Sequence, residues 1–182
     1  MALQYRKPSL PDFRRLRRTL AAEATAVLER ETRAFADREV ALFRQEIERQ
    51  VFPSFAQHPL TPAYFARKRR AGLDERILIA TGWYTDHLRV WRHRSLVNRR
   101  ERWWRIGFHP TVLARDAKGR RVPITLDRLA RVHEFGSAIH RIPARPHWRP
   151  HLRAMRVRAR EVRARIRQEI LRRLRIRMPK FA

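Results

Sequence analysis

The sequence predicts an α+β fold in which a small, mostly antiparallel sheet lies between long N-terminal and C-terminal helices. Residues 12–51 contain neither glycine nor proline and carry apolar side chains at helical spacing. Two short stretches of alternating apolar and polar residues, 86–94 and 102–108, follow in the middle of the chain. The 182 residues, 43% of them hydrophobic, suffice for one domain with an apolar core, which we expect to span residues 1–182.

The long N-terminal helix is predicted over residues 12–52. Its apolar positions fall into two sets at intervals of three and four, which are Phe13, Leu16, Leu20, Ala24 and Val27, then Val40, Phe43, Ile47 and Val51. The two sets do not join in phase, so we expect a bend or break near residues 30–37. Pro53 is expected to end the helix.

Threonine and glycine residues mark the ends of two shorter helices. Thr61 precedes Pro62 as an N-cap precedes a proline in the first helical position, and Gly72 is expected to stop this helix near Arg70. Thr125 has the same role for a helix over Leu126–Phe135, which Gly136 is expected to close.

The strands of the middle region are predicted as two hairpins. Residues 86–94 and 102–108 form an antiparallel pair, and residues 111–116 and 121–124 form a second, smaller hairpin. With the helix that follows, they form the sheet-and-helix core that we expect over residues 77–136.

The C-terminal region is predicted as a proline-rich arm over residues 141–150 and an arginine-rich helix over residues 151–177. Three prolines favour an extended, stiff arm. The predicted apolar stripe of the helix consists of Leu152, Met155, Ala159, Val162, Ile166, Ile170 and Leu174. Pro150 lies between His147 and His151, so we expect these histidines not to share a helix face.

Composition excludes several classes of protein. The chain has no cysteine, no glycine-rich phosphate loop and no apolar run long enough to span a bilayer, and its first residues are unlike a secretory signal. Ser137, His133 and Asp127 lack the spacing of a nucleophile elbow, and Asp116 with Lys118 has no second carboxylate for a metal-dependent nuclease. We therefore expect no enzyme activity, catalytic residue, cofactor, metal or membrane partner.

The positive charge is concentrated toward the C-terminus. The formal net charge is +27, and residues 141–182 carry fifteen basic and two acidic side chains, whereas residues 12–52 carry nine and eight. Such asymmetry predicts an anionic partner, either nucleic acid or an acidic protein. The candidate contacts are Arg156, Arg160, Arg163, Arg167, Arg172 and Arg175.

Two segments resemble the virion-morphogenesis and tail-completion (neck) proteins of tailed bacteriophages. The first runs from Pro59-Leu60-Thr61-Pro62 through Lys68-Arg69-Arg70 to Ile77-Leu78-Ile79-Ala80-Thr81-Gly82; the second is Leu129-Ala130-Arg131-Val132-His133-Glu134-Phe135-Gly136 with Ile142-Pro143-Ala144-Arg145-Pro146-His147-Trp148-Arg149-Pro150. The chain departs from the family in having His147-Trp148 where Phe-Leu is more usual. Its arginine-rich tail is also unusually long, and the hairpin near 111–124 is extra.

The resemblance implies a structural protein of the phage neck or tail top. Such a protein is made in the host cytoplasm and located in the virion. It forms an oligomeric ring, expected to be a hexamer, contacts neighbouring neck, tail-terminator or tail-tube proteins, and lets genomic DNA pass with non-specific contact. The candidate subunit-interface arm consists of Glu134, Phe135, Gly136, Ile142, Pro143, Arg145, Pro146 and Trp148. Two alternatives stay open, that the arm only links two elements of one chain and that the protein binds nucleic acid without sequence preference.

Overall fold

A computed structural model describes residues 10–79, 81–94, 102–116 and 120–177. Within them the elements are α1 (Leu10–Glu48), α2 (Pro53–Gln57), α3 (Pro62–Arg70), α4 (Trp83–Asp86), β1 (Arg89–Arg94), β2 (Arg102–Gly107), β3 (Leu113–Arg115), β4 (Arg121–Thr125), α5 (Leu126–Phe135) and α6 (Trp148–Arg177). The fold class is α+β, as predicted. The strands form two separate two-stranded sheets, not one.

The chain divides into two compact units. The first comprises residues 1–34 and 159–182, and the second comprises residues 35–158. In the described part of the first unit, stretches of α1 and α6 pack together and bury Val27, Val162 and Ile166. The expectation of a single domain over residues 1–182 stays a prediction.

Helix α1 is continuous over Leu10–Glu48, so the break that the sequence allowed near residues 30–37 is absent. The phase of the apolar stripe changes there because the helix serves two cores. Val27 is buried in the first unit, whereas Phe43 and Ile47 are buried in the second. With neither glycine nor proline in this stretch, the backbone has no reason to break.

Helix α1 ends at Glu48, earlier than predicted, and Val51 is exposed. Gln50 has a φ of 55°, outside the range of a right-handed helix. Its side-chain amide donates to the carbonyl oxygens of Ile47 and Ile77 and accepts from the Ile77 N–H at 2.9 Å. Pro53 begins α2 rather than ending α1.

Both predicted hairpins are present. Strands β1 and β2 are antiparallel with Val90 opposite Ile106 and Arg92 opposite Trp104. Strands β3 and β4 are antiparallel with one irregularity in their register. The residues that connect each pair, 95–101 and 117–119, lie outside the described residues.

The threonine caps also agree with prediction. Thr61 Oγ accepts from the Tyr64 N–H, and Thr125 Oγ accepts from the Arg128 N–H, which satisfies one free N–H at the start of each helix. Gly82, in the first segment of the resemblance, has a φ of 70° and precedes α4, while Ala80 of that segment lies outside the described residues.

The core of the second unit draws on nearly every element in that unit. Its buried members are Val40, Phe43, Ile47, Phe52, Phe55, Ile77, Ile79, Tyr84, Leu88, Phe108, Ala114, Leu126 and Ala130. Arg44 connects α1 to this core, because its guanidinium donates to the Leu88 carbonyl oxygen at 2.5 Å. These contacts fix the end of α5 and the start of α6, where the candidate site lies.

Candidate interaction surfaces at the α5–α6 junction

The turn after α5 requires glycine at position 136. Gly136 has a φ of 77°, and a Cβ there would lie 2.9 Å from both the Ala144 nitrogen and the Ile142 carbonyl oxygen. Real Cβ atoms essentially never come so close, so another residue would force the two backbone segments apart. The predicted role of Gly136 as helix stop is confirmed, and its second role is to admit this close approach.

The Glu134 carboxylate caps the N-terminus of α6. It accepts hydrogen bonds from the backbone N–H groups of His147 (2.8 Å), Trp148 (2.9 Å) and Arg149 (3.2 Å), and from Arg149 Nε (2.8 Å). Burial alone would raise the pKa of this carboxyl, but the hydrogen bonds, first that from His147, hold it below its ordinary value. Glu134 thus binds α5 to α6 within one chain.

Buried aromatic and imidazole groups hold the other side of the junction. The Tyr84 hydroxyl lies 2.7 Å from His147 Nε2 and accepts from Trp148 Nε1 at 3.2 Å, while His147 Nδ1 lies 2.9 Å from the Arg145 carbonyl oxygen. Burial lowers the pKa of His147. The neutral tautomer with a proton on Nδ1 therefore satisfies every one of these contacts.

His147 precedes α6 and His151 lies in its first turn, so the two do not share a helix face, as predicted, yet both pack on Phe43. Both are fully buried and stack on Phe43, with ring centroids 6.0 and 4.3 Å from it. Helix α6 begins at Trp148, so Pro150 lies in its first turn, where the missing N–H costs no helical hydrogen bond. His151 therefore takes the inward position predicted for Leu152, which is 36% exposed.

Two carboxylates of α1, the buried Glu39 and the half-buried Glu46, complete this packing. His151 Nδ1 lies 2.7 Å from Glu46 Oε2, and Glu39 forms a two-pronged ion pair with Arg158 at 2.8 and 2.6 Å. These side chains bind the second part of α1 to the first part of α6.

Arg145 uses its buried guanidinium within its own chain. Its Nε donates to the His58 carbonyl oxygen at 2.6 Å and a terminal nitrogen donates to that of Pro59 at 3.1 Å. Its backbone N–H donates to the His133 carbonyl oxygen. Arg145 therefore holds the arm against the residues that follow α2.

The remaining arm residues differ in exposure. Ile142, Pro146 and Trp148 are half-buried, whereas Pro143 is exposed and Phe135 is 66% exposed. Glu134, Gly136 and Arg145 make the intrachain contacts described above. The assignment of these eight residues to a subunit interface stays a prediction.

Ile139, which sequence reasoning did not single out, is 90% exposed. It lies on a turn closed by paired backbone hydrogen bonds between Ser137 and Ile142 at 2.8 and 2.9 Å. A third bond joins the Arg141 N–H to the Ala138 carbonyl oxygen. The signal in the sequence was Ile139 itself, a large apolar residue between Ser137 and Arg141, just after the helix stop at Gly136.

The candidate arginines lie on the exposed surface of α6, in different units. Arg156 is exposed in the second unit, and Arg160, Arg163 and Arg167 are exposed in the first. The last three are spaced i, i+3 and i+7, which places them on one helix face. Arg172 instead pairs with Glu169 at 2.8 Å, and the side chain of Arg175 lies outside the described residues.

A groove of about 550 Å³ opens beside the junction in the second unit. Ile106, Phe108, Phe135, Trp148 and Leu152 are among its apolar lining residues. Arginines 105, 131 and 149 are its basic lining residues. None of the basic three was a predicted contact, because the sequence alone does not show that strand β2 meets α5 and α6.

The structure does not join Asp127, His133 and Ser137 into a hydrogen-bonded group. No hydrogen bond joins His133 to Asp127 or Ser137, all three of which the structure describes, and His133 Nδ1 has no hydrogen-bond partner. Burial, followed by the neighbouring His147 imidazole and the Arg145 guanidinium, lowers the pKa of His133 to about 3. Lys118 lies outside the described residues.

The described residues contain no group of three or more potential ligands placed to hold a metal ion. No helix within them combines the length and apolar character needed to cross a bilayer.

Comparisons with protein-family models, curated proteins and solved structures found no match to this chain.

Proposed function

We propose that this chain is a structural component of a bacteriophage neck or tail top, where it forms an oligomeric ring that joins tail to head and lets DNA pass. The observation that carries the proposal is Ile139, 90% exposed on a hydrogen-bonded turn. The turn lies between the two segments of the resemblance, 129–136 and 142–150. Those segments build the junction that fixes the turn, so the resemblance and the exposed surface meet at one place.

An isoleucine presented in this way favours contact with another protein. Burying one such side chain in a contact stabilises the contact by roughly 1.5–3 kcal/mol relative to leaving the side chain exposed to water. A surface that binds a different surface of an identical copy generates a closed ring when the rotation closes. We therefore expect the Ile139 turn to lie in the contact between subunits of the ring, which we expect to be a hexamer.

The test is the mass of the protein in solution, measured by size-exclusion chromatography with light scattering, with electron microscopy of the same fractions. We expect rings from the unmodified chain and smaller species from Ile139→Asp, because a carboxylate cannot be buried at an apolar contact without a large cost. Val51→Asp is the matched control, since Val51 is also exposed but lies outside the turn of residues 137–142.

Two results would count against the proposal. One is a strictly monomeric chain that also fails to join purified phage heads or tails. The other is a ring that Ile139→Asp and Val51→Asp leave equally intact, because the exposed Ile139 would then have no part in the contact between subunits.

The alternative function, nucleic-acid binding without sequence preference, has its own supporting observation. Arg160, Arg163 and Arg167 are exposed on one face of α6, and no acidic side chain of the described residues pairs with them. Such a row suits contact with successive phosphates. Tight binding to duplex DNA at physiological salt by a monomer would favour this function over the ring.

A further inference from the structure

The groove beside the α5–α6 junction has an apolar lining that is already in place without a partner. Trp148 lines it, and its indole is fixed by the hydrogen bond from Nε1 to the Tyr84 hydroxyl at 3.2 Å. Phe135 and Leu152, 66% and 36% exposed, also line it. A volume of about 550 Å³ admits one or two large side chains, and preformed pockets of this size are typical binding sites.

The charges of the groove favour an anionic occupant. Its two carboxylates already have partners, since Asp127 pairs with Arg131 at 3.1 Å and Glu134 pairs with Arg149 at 2.8 Å. Each of these contacts is made through Nε, and the two arginine side chains stay 73% and 54% exposed. Arg105 is exposed and has no acidic partner among the described residues.

We propose that this groove binds an acidic segment of a neighbouring protein, with an apolar side chain in the groove and carboxylates at Arg105, Arg131 and Arg149. The inference rests on the proposed function only in placing that neighbour in the same assembly. Guanidinium groups bind carboxylates through paired N–H donors, which gives the segment a defined position.

Charge decides between this occupant and others. With a net charge of +27, a second copy of the chain complements three arginines less well than an acidic segment does, wherever else the copies contact one another in a ring. Nucleic acid would satisfy the arginines but would leave Phe135, Leu152 and Trp148 facing a phosphate backbone. An acidic segment with an apolar residue satisfies both parts of the groove.

The experiment measures binding of short fluorescein-labelled peptides to the full chain by fluorescence anisotropy. The probe has glutamates on both sides of a Leu-Phe pair. One control peptide keeps the glutamates and replaces Leu-Phe by serines, and another keeps Leu-Phe and replaces the glutamates by lysines. Labelled duplex DNA is measured in parallel, and circular dichroism verifies that each protein variant is folded.

We expect the acidic Leu-Phe peptide to bind at least about tenfold more tightly than either control peptide. Arg105→Glu and Leu152→Asp should each weaken its binding roughly tenfold, and added salt should weaken it further. Arg121→Glu is the matched control for Arg105→Glu. It reverses a charge that is also exposed, on strand β4 and outside the groove, and should have little effect.

Three results would overturn the inference. The first is that the two acidic peptides bind with equal affinity. The second is that Arg105→Glu and Arg121→Glu lose the same amount of peptide affinity. The third is that duplex DNA displaces the peptide and that Leu152→Asp also weakens the binding of DNA. The ring is tested separately by its mass. Rings with no peptide binding refute the groove alone, and peptide binding by a permanent monomer refutes the ring alone.

Discussion

Phe43 and His151 stack with ring centroids 4.3 Å apart and an interplanar angle of 18°, and this contact joins α1 to α6 in the second unit. Phe43 is fully buried, and His147 stacks on it as well. A single phenylalanine thus supports both of the buried histidines near the start of α6.

Phe43→Ala should therefore lower the free energy of unfolding by about 3–5 kcal/mol, the usual cost of emptying a buried aromatic site. Phe65→Ala, at a site 39% exposed, should cost much less. Urea denaturation followed by tryptophan fluorescence measures both. Similar losses in the two variants would mean that the stack contributes little.

Gly136→Ala should destabilise the protein by more than Gly72→Ala. Both glycines have positive φ, 77° and 64°, so both variants carry a backbone cost of about 1–3 kcal/mol, and Gly136, with a ψ of 178°, lies in a region that essentially only glycine adopts. Only at Gly136 would the new Cβ meet backbone atoms at 2.9 Å, whereas nothing lies within 4 Å of the Cβ position at Gly72. Thermal unfolding of the two variants gives the comparison, and equal melting temperatures would contradict the crowding at the junction.

Acidification should destabilise the protein through His133. Burial lowers the pKa of His133 to about 3, so the folded chain keeps this imidazole neutral while the unfolded chain protonates it near its ordinary pKa of 6.5. The stabilisation is present above pH 6.5 and is lost as the pH falls toward about 3. The slope of this loss is at most about 1.4 kcal/mol per pH unit.

His133→Gln should flatten this dependence, and His140→Gln, at an exposed site, should not. Urea denaturation at a series of pH values measures the slopes. Burial lowers the pKa of His147 as well, so part of the dependence should persist in His133→Gln. An unchanged slope in that variant would contradict the neutral state of His133.

Binding to duplex DNA should be weak at physiological salt. The residual affinity should depend on the three exposed arginines of α6 in the first unit. Replacing Arg160, Arg163 and Arg167 together by glutamine should reduce the salt slope of affinity by up to about 2.7, at about 0.9 per phosphate contact. Anisotropy of a labelled duplex across a range of salt concentrations measures the slope.

Arg172→Gln is the control for this triple variant. The Arg172 guanidinium is held by Glu169 at 2.8 and 2.9 Å. Hydrogen bonds from Arg172 and then Arg173 lower the pKa of Glu169 to about 2, so the pair stays ionised at neutral pH. Its loss should change the slope less than one third as much as the triple substitution. A larger change would mean that the general positive charge, not this row, attracts DNA.

The sequence predicted those parts of the fold that depend on neighbouring residues. The cap at Thr61, the cap at Thr125 and the stop at Gly136 follow from local hydrogen bonding and backbone freedom, and each is present. The hairpins follow from alternation within a few residues. Such signals are complete in a short stretch of chain, and the rest of the fold did not override them.

The errors arose where distant parts of the chain meet. The apolar stripe of α1 changes phase because two cores use one helix, and no local pattern distinguishes that from a break in the helix. The joint packing of His147 and His151 on Phe43 was missed because α6 begins just before Pro150, at a boundary that Glu134 of another helix sets through its cap. The groove was missed for the same reason, since its lining comes from β2, α5 and α6.

The Glu134 cap has a consequence for how this region opens. One carboxylate at the end of α5 satisfies three amide groups at the start of α6. Any fluctuation that unravels the last turn of α5 also deprives those amides of their acceptor, so the two helix ends open as one cooperative segment. Hydrogen exchange at His147, Trp148 and Arg149 should then keep pace with exchange in α5 rather than with the remainder of α6.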